Sequence, residues 1–363
     1  MADSGDILFG CEGGVGTVTL NRPRALNAFT LGMYRRFDPV LRGWADDRQI
    51  HAVLIRGAGE RAFCAGGDVR AIAEAGRGIA GAPRLTSIFF SEEYQLIRRI
   101  HRLAKPYIAI IDGITMGGGA GVSVNGARRV ATERTLLAMP ETGIGLFPDV
   151  GATRFLNLAP GHVGRYLALT GTRLGPADAR YCGFATHFVP RDRVAVLVEA
   201  LRQMVWRPSG EWAQIEEALA AVAGASGEPP LAARRAAIDR CFAPDTVEAV
   251  LDALAGEAAS GGPDSEWAEA TRAGLLGKSP TSLKITLRQL IVGEGYDIEA
   301  ALALEYRLTQ HVMAGHDFYE GVRAALIDKD QKPRWRPATL AEVTDAMVDS
   351  YFAPLGDGEL RFD

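Results

Sequence analysis

The stretch AMPETGIGLFPDVGATRFL, residues 138–156, sets two carboxylates, Glu141 and Asp149, eight positions apart. Between them lie two glycines, a proline, a threonine and the apolar residues Ile144, Leu146 and Phe147. Charged side chains on a solvated face seldom keep such company. An acid among apolar neighbours loses hydration, its carboxyl pKa climbs, and it can then exchange a proton near neutral pH. Glu141, after LLAMP and before IGLF, is the candidate acid/base; a salt bridge is its structural alternative. Gly143, Gly145 and Pro148 prevent one helix from aligning the two acids. The expected arrangement has Glu141 at a strand end and Asp149 opening a helix over 149–158, where an N-cap is its ordinary use.

Two glycine-rich turns could serve the same chemistry. MGGGAGVSVNGA (116–127) follows a strand-like run and precedes a helical one. Backbone without side chains can turn sharply there and aim N–H groups outward, and the helix dipole adds positive potential. Such a turn suits a phosphate or a developing oxyanion, with a plain strand–helix turn as the alternative. GxGxxG spacing fails from both Gly117 and Gly119 and no GK[ST] follows, so neither a dinucleotide fingerprint nor a P-loop is present. AFCAGGDVRAI (62–72) is a second turn of this kind. In it Gly66 and Gly67 lead into Asp68, which reads first as the N-cap of a helix from Val69. Cys64 reads as a small core residue. Ser123 lies in GVSVN, not in a GxSxG elbow, and neither His162 nor His187 has a partner motif, so a Ser-His-Asp hydrolase is not supported.

The elements around these residues fit an α/β fold. VGTVTL (15–20), HAVLIR (51–56), YIAIID (107–112) and RTLLAM (134–139) are strand-like, with helical patterns between them at 68–80 and 86–103. Ligands of such folds collect at strand ends, where both glycine turns fall. Beyond about 190 only helical patterns remain, near 192–205, 211–223, 244–256, 279–292 and 297–314. The division expected is an α/β core over 1–195 and a helical region over 196–363 that packs on it. The chain has 363 residues, 47% hydrophobic and 23% charged, with net charge −4 and no long basic run, which argues against nucleic acid as a partner. Cys11, Cys64, Cys182 and Cys241 are scattered without metal-ligand spacing, so no metal site is expected. No apolar run is long enough for a membrane span, and the N-terminus lacks a secretory pattern. These features predict a cytoplasmic protein.

Taken together, AFCAGGDVRAI, FFSEEYQL (89–96), DGITMGGGAGVSVNG, AMPETGIGLFPDVG, SPTSLKITLRQL (279–290) and VRAALIDKDQKPRW (322–335) resemble the enoyl-CoA hydratase/isomerase (crotonase) superfamily. NRPRALNAF (21–29) and DFYEGVRA (317–324) match as well, so the resemblance covers nearly the whole chain. It implies a crotonase (ClpP-like) spiral core of ββα units with a helical C-terminal region. It also implies that the backbone N–H groups of Gly67 and Gly118 form an oxyanion hole for a thioester carbonyl. Arg24 matches a basic position near the coenzyme A phosphates, and Cys64, Ala65 and Gly66, with Asp68 beside them, match the stretch that meets the adenine.

Hydratases carry a glutamate in a GGGxE pattern, and this chain has Gly121 there. Their second glutamate matches Glu141, while the FPD aspartate of the thioester-hydrolase subgroup matches Asp149. Glu93 matches an acidic, substrate-contacting position of that subgroup. The helical stretch at about 205–275 resembles the subgroup's insertion. The resemblance thus implies hydrolysis of 3-hydroxyisobutyryl-CoA, and of 3-hydroxypropionyl-CoA, in valine catabolism. Glu141 would act as nucleophile or as base on water, and Asp149 would orient the acyl hydroxyl or water. No cofactor is implied beyond the coenzyme A of the substrate, and the assembly is left open between a homo-oligomer and a C-terminal helical region folded back on its own core. A hydratase or isomerase acting on another short acyl-CoA is the alternative, and a non-catalytic acyl-CoA-binding subunit is disfavoured because binding alone needs no paired acids.

Overall fold

Parallel strands covered on both faces read as near-continuous apolar runs, and YIAII at 107–111 is buried at every position. The structure, a computed structural model, describes residues 5–76 and 84–362. Its strands are β1 (Ile7–Glu12), β2 (Val15–Leu20), β3 (Ala52–Gly57), β4 (Ala62–Cys64), β5 (Tyr107–Ile111), β6 (Ile114–Met116), β7 (Arg128–Ala131), β8 (Leu136–Ala138) and β9 (His187–Phe188). One sheet has the order β1-β2-β3-β5-β7-β9 and the other β4-β6-β8. β1 and β2 are antiparallel, with Ile7 opposite Leu20. The remaining pairs are parallel, among them Val53 beside Tyr107 and Ile108 beside Arg128.

The path repeats. β3, β5 and β7 lie in the larger sheet, and each is followed by a short strand of the smaller one and then by a helical segment. Those segments are Val69–Gly76, Gly118–Val124 and the 3-10 turn Glu141–Ile144. This is the expected ββα repetition, and both glycine turns and Glu141 fall just beyond the short strands.

The chain divides into two compact units. The first, drawn from Met1–Gly67, Gln95–Ala138 and Arg173–Pro229, holds both sheets. Its core joins Leu54, Ile108, Ile110 and Val130 of the larger sheet to Leu197 and Leu201 of helix Arg191–Arg202 and Ile215 and Leu219 of helix Glu211–Val222. The second unit, drawn from Asp68–Tyr94, Met139–Thr172 and Pro230–Asp363, is helical. Within it, helix Pro280–Val292 has Ser279 as N-cap and helix Ile298–Met313 has Asp297, whose side chain accepts from the Ala300 amide at 2.8 Å. Ser279 Oγ also donates to Asp317 Oδ2 at 2.6 Å, and Asp317 Oδ1 accepts the Arg336 amide at 2.8 Å. Asp317 thereby ties the 279–290 and 317–324 stretches to each other and to the residue just past 322–335.

Several boundaries differ from expectation. The strand read at 134–139 is Leu136–Ala138, and β1, β4, β6, β7 and β9 were not anticipated, because two- to six-residue runs carry little periodicity. The helix read over 68–80 is Val69–Gly76, and 77–80 lie outside the described residues. The helices Pro230–Phe242, Val247–Ala259 and Ser265–Leu276 fall in the stretch near 205–275 that was expected to be helical. Among the described residues no helix is long and apolar enough to cross a membrane.

Candidate active site

Met139 and Pro140 follow β8, and Glu141 then opens the 3-10 turn Glu141–Ile144. Gly145 ends that turn at φ 72°, a left-handed conformation, and a Cβ there would lie 2.2 Å from the Asp317 carbonyl oxygen. Only glycine satisfies both demands. The turn is therefore pressed onto the DFYEG segment, and Glu141 is left 5% exposed. Its Oε2 has no hydrogen-bond partner, and no cation lies within ion-pair distance of it among the described residues. The salt-bridge alternative is set aside on that geometry.

Burial holds the Glu141 carboxyl well above the usual carboxylate range, and the nearby charge of Asp149 pushes the same way. Opposing them are its own backbone amide and Lys278. Lys278 is half-buried, and a Cβ on Gly143 would lie 3.6 Å from its Nζ. Burial brings its ammonium down to about 8, with Glu141 acting in the opposite direction.

Asp149 is not a helix cap. The helix expected over 149–158 is Ala152–Asn157, with Gly151 as N-cap. Positive φ at Val150 (60°) and Gly151 (88°) delays its start and turns the Asp149 side chain away from the helix amides. The carboxylate instead accepts the Tyr94 hydroxyl at 2.7 Å, in a site where Tyr94 is fully buried and Asp149 is 5% exposed. Burial raises the Asp149 carboxyl to about 6, against the lowering effect of the Tyr94 hydrogen bond. Glu93, next to Tyr94, is also buried, and its charge adds to the rise at Glu141. Glu93, Glu141 and Asp149 thus share one field, the arrangement expected where acids are kept for proton or acyl transfer.

Three supporting residues were not singled out from sequence. Tyr94 is one and Lys278 another. The third is Glu305, fully buried, which accepts the Gly151 amide at 2.7 Å and the Thr153 amide at 2.8 Å. Glu305 did leave a signal, for it falls on the stripe formed by Ile298, Ala301, Leu302, Leu308 and Val312, where an acid is out of place.

The glycine turns lie against each other. β4 pairs with β6, and the ideal Cβ position on Gly66 (φ 112°) is 3.5 Å from the Gly118 nitrogen and 3.2 Å from the Met116 carbonyl oxygen. Phe29 N donates to Gly66 O at 2.8 Å and fixes that turn from the other side. Gly118 opens helix Gly118–Val124, so its amide has no intrahelical acceptor. Neither the Gly67 nor the Gly118 amide donates to a group among the described residues. Two donors on adjoining turns are what an oxyanion requires.

Cys64 is buried, with Sγ against the Gly66 backbone, and Ala65 is half-buried. The Asp68 side chain accepts the Ala71 amide at 3.3 Å, as an N-cap does. Arg24 is exposed on the 3-10 turn Pro23–Ala25. A groove of about 660 Å³, lined by Arg56, Gly59, Asp112, Arg191 and Arg202 among others, includes neither glycine donor. Among the described residues no group of three or more His, Cys, Asp or Glu side chains is placed to hold a metal.

The chain belongs to the enoyl-CoA hydratase/isomerase family, whose model matches residues 15–352. Within that class it is similar to proteins named 3-hydroxyisobutyryl-CoA hydrolase, mitochondrial. The zebrafish (Danio rerio) protein is 46% identical over 98% of this chain and 91% of its own length. The human (Homo sapiens) protein is 44% identical over 98% and 91%. A crystal structure titled as a carnitinyl-CoA dehydratase from Mycobacterium thermoresistibile superposes with a TM-score of 0.89 at 42% identity, covering 99% of both chains. Another, titled as an enoyl-CoA hydratase from Rhodobacter sphaeroides, gives 0.87 at 38% identity, covering 99% of this chain and 100% of that one. The fold is thus the crotonase fold with a helical C-terminal region.

These names correct one expectation. The hydrolase relatives are named as mitochondrial proteins, which overturns the cytoplasmic location read from composition. Scattered cysteines fit any reducing compartment and do not single out the cytosol.

Proposed function

We propose that the chain hydrolyses short 3-hydroxyacyl-CoA thioesters, 3-hydroxyisobutyryl-CoA foremost, to the free 3-hydroxy acid and coenzyme A. That activity would place it in valine catabolism. The observation that carries the reading is the acid pair: Glu141 and Asp149 are both buried, while Gly121 stands where a hydratase needs its other glutamate. Proton transfer at the acyl α-carbon with water addition lacks one of its two acids, whereas thioester cleavage needs only one carboxylate at the carbonyl. The hydrolase relatives, similar over nearly the full length, support the same reading.

In this proposal the thioester oxygen takes the amides of Gly67 and Gly118. Loss of one such donor typically costs roughly 2.7–4 kcal/mol in the transition state. A Glu141 oxygen attacks the carbonyl carbon, the C–S bond breaks, and coenzyme A leaves as its thiol after gaining a proton. Water then opens the acyl–Glu141 anhydride. Alternatively Glu141 takes a proton from a water that attacks directly. Both routes build the same oxyanion. The bare Glu141 Oε2 is suited to either, since no hydrogen bond must break before it acts. Asp149 orients the acyl 3-hydroxyl or the water, and Glu93 meets the substrate beside it. Arg24 and the Cys64–Asp68 stretch receive the coenzyme A moiety, and no further cofactor takes part.

The test is free-thiol release over a panel of 3-hydroxyisobutyryl-, 3-hydroxypropionyl-, isobutyryl- and crotonyl-CoA, with hydration of crotonyl-CoA followed separately. Release from the 3-hydroxyacyl thioesters is expected to dominate. Efficient crotonyl-CoA hydration with negligible thiol release would replace the proposal with the hydratase reading.

A further inference from the structure

We propose that Glu305 is a positioning residue for Asp149: from helix Ile298–Met313 its carboxylate clamps the Pro148–Thr153 loop in the conformation that aims Asp149 at its task. The inference rests on the reading that Asp149 meets the substrate.

The loop does not take this shape by itself. Val150 has φ 60°, an outlier for a β-branched residue, and Gly151 follows at 88°. A left-handed pair of this kind persists only where its surroundings impose it. Two side chains do so. Glu305 Oε2 and Oε1 each take one amide, Gly151 and Thr153, at 2.7 and 2.8 Å. Gln289 Nε2 donates to the Pro148 carbonyl and to Thr153 Oγ1, both at 2.7 Å. The four bonds lie on either side of Asp149 and Val150.

A plain capping role explains less. The helix Ala152–Asn157 has six residues, and Ser, Thr or Asp at 151 would cap it locally. The chain instead has Gly151 there and draws a fully buried acid from 154 positions away. Burying that acid is costly, and burial carries its carboxyl up to about 8, with the charge of Asp149 adding to the rise. The cost is understandable if the gain is geometric. One carboxylate that bridges two amides sets the loop's direction as well as its helicity, and Asp149 is the residue just before the strained pair.

The experiment measures kcat and KM for thiol release from 3-hydroxyisobutyryl-CoA in Glu305→Gln and Glu305→Asp, each alone and combined with Asp149→Asn. Gln turns an NH2 toward an amide donor, and Asp withdraws the carboxylate by one methylene. The expected result is a kcat lower by about 10²-fold in Glu305→Gln, the scale of an ångström-sized misplacement. Glu305→Asp should lose less, and KM should move by no more than about twofold. In the Asp149→Asn background Glu305→Gln should cause no further fall, because it acts through the group already removed. An equal fall in both backgrounds, or normal kcat in folded Glu305→Gln, overturns the proposal. So does failure of both variants to fold, which would leave Glu305 a purely structural acid. Full turnover in Asp149→Asn by itself would sink the reading of Asp149 and this inference with it. Loss in Asp149→Asn beside normal Glu305→Gln sinks this inference alone.

Discussion

Replacing Asp149 by Asn should make the protein gain stability relative to the parent as pH rises, and should leave it far less active. Burial carries the Asp149 carboxyl from 3.8 to about 6. That is about two powers of ten in proton affinity, and at about 1.4 kcal/mol per tenfold it amounts to about 3 kcal/mol. The folded state binds this proton more tightly than the unfolded chain does. Its stabilising contribution is therefore complete below about pH 4 and is lost as pH rises through about 6. Asn carries no charge to desolvate and its side-chain oxygen can still accept the Tyr94 hydroxyl. The variant's stability relative to the parent should thus improve by about 2 kcal/mol between pH 4.5 and pH 8, the remainder having been lost already below pH 4.5. Comparing two pH values removes any fixed cost of the new NH2 group. Denaturant melts at both pH values measure it, and thiol release on the same samples measures turnover. Turnover should fall by roughly 10²-fold or more, the scale of acid–base catalysis, and further for 3-hydroxyacyl-CoA than for an acyl-CoA without the hydroxyl. A variant whose relative stability does not change with pH would refute the buried-charge reasoning. Normal turnover per folded molecule would remove Asp149 from the chemistry.

Glu141→Gln should stay folded and lose thiol release by at least about 10²-fold, and near-normal release in a folded Gln variant would exclude Glu141 as nucleophile or base. Lys278→Met removes a cation that lowers the Glu141 pKa, so the acid limb of kcat/KM should move to higher pH; an unmoved limb would show that Lys278 does not tune Glu141. Tyr94→Phe deletes the hydrogen bond that lowers the Asp149 pKa, so Asp149 should stay protonated to higher pH, and a pH profile identical to the parent's would disprove that coupling.

Much of the candidate site was legible because burial and backbone demands are written locally. An acid between LLAMP and IGLF is expected to be buried, and Glu141 is. Glycines after short strands mark turns where backbone amides can be exposed, and the Gly66–Gly67 and Gly118 turns lie against each other. The late helical patterns near 279–292 and 297–314 became helices Pro280–Val292 and Ile298–Met313, which the structure caps with Ser279 and Asp297. What a buried polar group bonds to is not local. Asp149 looked like a cap because Asp before a helix usually is one, yet its partner Tyr94 comes from 55 positions away and the loop's clamp, Glu305, from 154 beyond Gly151. The compact units are likewise assembled from three stretches each, which no composition change along the chain marks. The sequence by itself determined which residues must leave water and where the backbone must bend. Tertiary structure decided which groups meet after they do, because a desolvated carboxylate takes whatever donor the topology brings to it.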